Sequence, residues 1–140
     1  MIPLPGEVYR VPSFVFNDGE SAPKYAVVLG DATRLRNDRD DHVLVIVTTK
    51  QGRHFRSKAP GCHADEYHPH FFIATRTTDI FTLDTHVVID DIYRMGCREL
   101  DSKAAHKGSL PIPLSLEIVD CVLSADIEPI YREALARYRT

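Results

Sequence analysis

The sequence predicts a mainly β fold, a small antiparallel barrel or sandwich covered by helices at its C-terminal end. Three observations lead there. At least five short runs rich in β-branched or aromatic residues lie before residue 95. Glycine, proline and Asn/Asp clusters punctuate them, and no helix-length segment intervenes, which disfavours a parallel α/β sheet. Helical periodicity starts only after Pro111.

Taken in order, Gly6 to Phe16 alternates imperfectly, with Val8, Val11 and Phe14 interrupted by Pro12. Proline cannot donate to a ladder, so this segment reads as an edge strand or a bulged one. Asn17-Asp18-Gly19 is a turn signal. Tyr25 to Leu29 and Val43 to Thr49 are apolar runs suited to buried central strands, joined by the polar stretch 30–42. His70 to Thr75 and Thr85 to Tyr93 supply two more strands, with 79–84 as a turn or a short extra strand. Pro113 suits a first helical turn, and Leu114, Ile118, Val119, Val122 and Leu123 share a face, predicting a closing helix over 113–124. Asp126 offers an N-cap for a second helix over 127–139, whose apolar face is Ile127, Ile130, Tyr131, Ala134, Leu135 and Tyr138.

A chain of 140 residues fits one domain, 1–140, with the β portion at 6–95. Its 44% hydrophobic and 26% charged residues are those of a globular protein. The formal net charge of -3 argues against a protein that coats nucleic acid through overall positive charge, but not against a local basic site. Lys50, Arg53, Arg56 and Lys58 form such a site, with no acid among them. The N-terminus lacks the basic start and apolar core of a secretory signal, and no apolar run approaches membrane-spanning length, so a cytoplasmic protein without a membrane partner is expected. Cys62, Cys97 and Cys121 are odd in number and far apart, which reads as three free thiols in a reducing compartment.

Four segments, in order, resemble the PemK/MazF family of bacterial toxin endoribonucleases. Gly6-Glu7-Val8-Tyr9-Arg10-Val11 is similar to the family's opening strand and Pro23-Lys24-Tyr25-Ala26-Val27-Val28-Leu29 to its second. Val45-Ile46-Val47-Thr48-Thr49-Lys50-Gln51 resembles the strand that ends in a hydroxyl residue, and Val87-Val88-Ile89-Asp90-Asp91-Ile92-Tyr93-Arg94 the late strand. Lys107-Gly108-Ser109-Leu110 and the helix from Pro113 resemble the family's closing turn and helix, so the likeness spans about residues 6 to 125. It implies an SH3-like barrel, a homodimer, cleavage of single-stranded RNA without metal or other cofactor, and neutralisation by a cognate antitoxin protein.

Such cleavage needs a base for the 2′-hydroxyl, an acid for the leaving 5′-oxygen and donors for the phosphorane charge. Lys24 stands at the family's second-strand arginine and supplies a charge without the planar two-donor fork. Thr49 matches the strand-end hydroxyl; Thr48 faces the other way by alternation. Asp91 matches an acid that some members use as a base, and Arg94 the basic residue downstream. A structural Asp91–Arg94 salt link is an equal alternative. Two positions depart from the family: Ile89 stands where some members carry a catalytic arginine, and 17–22 lacks their histidine. His70 or His54 are substitute bases, since imidazole titrates in the useful range. Lys50, Arg53, Arg56 and Lys58 are the expected RNA contacts. Two other readings stay open: a catalytically degenerate barrel that binds RNA or a protein partner, and a zinc protein using Cys62, His63, His68 and His70. The spacing of those four is not that of a zinc finger, so no metal is expected.

Overall fold

The computed structural model describes residues 3–32, 41–49 and 59–137. They form β1 (Glu7–Val15), β2 (Ser21–Asp31), β3 (His42–Thr49), β4 (Gly61–His63), β5 (His70–Ile73), β6 (Thr85–Val88), β7 (Tyr93–Gly96), α1 (Cys97–Lys103), β8 (Ala105–Ser109), α2 (Ile112–Ser124) and α3 (Pro129–Ala136). Every pairing among them is antiparallel. The strand order is β4-β5-β6-β3-β2-β1-β8, and β7 pairs with the half of β3 that β6 leaves open. The described sheet is therefore open, with β4 and β8 at its two ends.

β3 is the hub, and its alternation divides the core. Leu44 and Ile46 join Val8, Val27, Leu29, Phe71, Ile73, Val87 and Ile89 on the face covered by Ile118, Val119 and Val122 of α2 and Leu135 of α3. Val43, Val45 and Val47 join Tyr9, Phe14, Ala26, Val28, Met95 and Leu100 on the other face. Both faces of β3 are thus buried, which is why its sequence is a continuous apolar run rather than an alternating one.

Several expectations need correction. Thr85 to Tyr93 is two strands, β6 and β7, interrupted at Asp90-Asp91. Adjacent carboxylates point to opposite faces of a strand, and one of them would be driven into the core. Helical structure begins before Pro111: α1 is too short for a periodic signal, and only Cys97 and Leu100 are buried on it. The short strands β4 and β8 also go unforeseen. The last helix is capped at Glu128, not Asp126, without a side-chain bond. β1 is bulged between Val11 and Phe14, around Pro12, but is not an edge strand, since β8 flanks Glu7 to Arg10. The cysteines are not all thiols: Cys62 of β4 and Cys121 of α2 form a disulfide across a sequence separation of 59 residues, while Cys97 is buried outside it. No helix among the described residues is long and apolar enough to cross a membrane.

Candidate functional site

The strand registers carry two rows of side chains across the sheet. In the first, Val11 faces Lys24, Thr49 faces His86, His86 faces Phe72, and Phe72 faces Gly61. The β2–β3 register sets Ala26 against Val47, and Lys24 and Thr49 each lie two residues further along their own strands, on the same face as that pair. In the second row, His70 lies between Val88 and His63. Alternation puts Lys24, Thr49, His86, His70 and His63 on one face, the face of Ala26 and Val47 and opposite the one covered by α2. Thr48 goes to the helix-covered side with Val87, so Thr49 is the hydroxyl on the site face.

The histidines form a packed series. The His63 and His70 rings stack with centroids 4.9 Å apart, and His70 lies 5.2 Å from His86, which meets Phe72 edge-on at 5.0 Å. A carbonyl oxygen only accepts, so contacts to it fix where protons sit. His70 Nδ1 is 3.0 Å from the His68 carbonyl and His63 Nε2 is 2.6 Å from the Ala59 carbonyl, so each of these nitrogens donates. Glu66 lies between the two rings, 3.7 Å from His70 Nδ1 and 4.0 Å from His63 Nδ1. His70 has no exposed surface, and His86 keeps 5% of its own. His70, the expected base, meets both of the other rings and is more enclosed than His86. His86 carries no family motif; only its place opposite Thr49, a matter of register, draws it into the site.

Lys24 is half-buried with Nζ 5.8 Å from the Phe16 ring centroid. A chain of edge-to-face contacts runs from Phe16 through Phe14, at 5.4 Å, to Tyr93, at 4.8 Å. Tyr93 O–H donates to Asp91 Oδ2 at 3.0 Å, and Asn17 Nδ2 approaches Oδ1 at 3.4 Å. Desolvation, and then the bond to Asp91, push the Tyr93 hydroxyl up to about 12. Asp91 thus has Tyr93 and Asn17, not Arg94, as its partners. It lines a cleft of about 230 Å³ with Asp90, Asp126, Glu128 and Tyr131. Four carboxylates around one cleft repel a phosphate. Asp90 is exposed overall, yet desolvation of its carboxyl, with Asp91 adding, raises it above the ordinary range against its backbone hydrogen bond and His68.

Arg94 does not join the site either. It faces Leu44, so alternation directs it to the helix-covered side, where its Nε is buried without a hydrogen-bond partner among the described residues. Ile89, at the family's arginine position, is fully buried core. Lys50, Arg53, Arg56 and Lys58, with His54, lie outside the described residues. The zinc set does not converge: Cys62 is consumed in the disulfide and faces α2, away from His63. No group of three or more His, Cys, Asp or Glu among the described residues is arranged to hold a metal ion. In comparisons with known proteins, the chain matches no family model, no curated protein and no solved structure.

Proposed function

We propose that the chain is an endoribonuclease of the toxin type, built on an SH3-like arrangement of strands, which cleaves single-stranded RNA without metal. One observation carries this reading: Lys24, Thr49 and His86 share one face of the sheet, with Thr49 opposite His86 and with His70 and His63 on that same face. Lys24 and Thr49 hold the scissile phosphate, and His86 takes the 2′-proton. His70 and Glu66 fix the imidazoles. The 2′-oxygen then attacks phosphorus and the bond to the 5′-oxygen breaks, that oxygen leaving as a hydroxyl with a proton from the Lys24 ammonium, which gives a 2′,3′-cyclic phosphate. The basic segment that follows Thr49 in sequence supplies the salt-dependent hold on the RNA backbone. On the same reading the protein acts in the cytoplasm as a homodimer and is neutralised by a cognate antitoxin.

The test is incubation of the pure protein with a mixed-sequence RNA in EDTA, followed by end-group analysis. Fragments bearing 2′,3′-cyclic phosphate and 5′-hydroxyl ends are expected; cleavage only on addition of a divalent metal overturns the mechanism. A second reading, a barrel that binds RNA without cutting it, is favoured by the departure of Arg94 from the site and by the ordinary core role of Ile89. It predicts salt-dependent binding with no fragments.

A further inference from the structure

The disulfide joins the weakest element of the sheet to its strongest support. β4 has three residues, sits at one end of the strand order and pairs with β5 alone. None of its residues belongs to the buried set of either apolar cluster. Its covalent tie among the described residues is the Cys62–Cys121 bond to α2, a helix that buries Ile118, Val119 and Val122 in the main core. His63 follows Cys62 in the same strand and points the other way, onto the stack with His70. What holds Cys62 therefore holds one end of the histidine series.

We propose that the Cys62–Cys121 disulfide is a reducible latch that fixes β4, and with it His63, and that a dithiol reductant opens it by attack at Cys62. Cys62 is exposed, whereas Cys121 is 2% exposed. Both line a cleft of about 320 Å³ with Gly61, Phe71 and Ser124, which gives the reductant its approach. The attacking thiolate bonds to Cys62 Sγ as the Cys62–Cys121 bond breaks, and Cys121 Sγ leaves with the electron pair and takes a proton. The reductant's second thiol, deprotonated, then closes its own disulfide and releases Cys62 as a thiol. Two electrons and two protons pass from the dithiol to the protein. Afterwards β4 is held by its ladder to β5 and the contacts of His63, without a covalent tie to α2, and a short end strand so held opens more readily. The inference is independent of what the site face binds.

Amide hydrogen exchange and histidine ring resonances are compared in the oxidised protein, the same protein in dithiothreitol, and Cys62→Ser. Reduction and Cys62→Ser should each speed exchange at positions 62 and 63 by about tenfold or more and shift the His63 and His70 rings, with β1 to β3 unchanged. Alkylation of the denatured, unreduced chain should modify one of the three cysteines. The proposal is overturned if three cysteines are alkylated, if β4 exchange stays unchanged, or if acceleration spreads equally over β1 to β3. A Cys62→Ser chain that fails to fold counts against it equally, since the disulfide would then hold the whole fold rather than one strand.

Discussion

Gly6 adopts a φ of +90°, and a Cβ there would lie 2.8 Å from Ser115 Oγ on α2. Its N–H donates to the Val28 carbonyl and its carbonyl accepts from the Leu110 N–H. Gly6→Ala should therefore cost about 1 to 3 kcal/mol in chemical denaturation, through backbone strain and displacement of α2. Asp90 is the opposite case, a residue the fold disfavours in its charged form. With its folded value raised, stability falls as pH rises from the ordinary carboxyl value of 3.8 through the folded one. Asp90→Asn should raise the thermal midpoint at neutral pH, a gain that vanishes in acid where both side chains are neutral. Tyr93 gives the matching alkaline effect. From pH 10.0 to about 12 the unfolded chain loses a proton that the folded one retains, so stability falls as pH rises through that window. Tyr93→Phe should flatten the loss there in a pH-dependent melting series.

At the scale of elements, a side chain of α3 ties off the end of α2. Arg132 of α3 donates through both terminal nitrogens, to the Leu123 carbonyl and to the Ala125 carbonyl at 2.8 Å, satisfying acceptors at the end of α2. Arg132→Ala should cost about 1.5 to 3 kcal/mol and speed amide exchange in α3 ahead of α2. The long elements were legible because their patterns are intrinsic: β3 is a run of β-branched residues, and α2 repeats its apolar face from Leu114 to Leu123. The short ones were not. α1 presents two buried residues, and β4 exists because β5 pairs with it and a distant cysteine meets it. Such elements are set by tertiary context, which a local window does not contain.

Across the whole molecule, the candidate site was half legible. Lys24 and Thr49 were singled out by their match to a family pattern, but the face they share with His86 comes from registers among β2, β3 and β6 that no spacing within the chain encodes. His70 was found by residue type, but its burial was not legible, because burial depends on the packed fold. Asp91 and Arg94, three residues apart, were expected together. The break between β6 and β7 instead gives Asp91 to Tyr93 and Asn17 and turns Arg94 to the other face.

On the proposed mechanism, Lys24 and His86 act on one phosphate from one face of the sheet. The most direct measurement is the single-turnover rate of RNA cleavage in EDTA, taken with RNA affinity, for the parent, Lys24→Ala and His86→Gln. Each variant should lose about a hundredfold or more in rate while affinity changes by less than about tenfold, since both groups act chiefly on charge and proton movement in the transition state. Cleavage by both variants at the parent rate, or a parent that leaves the RNA intact, would contradict the account.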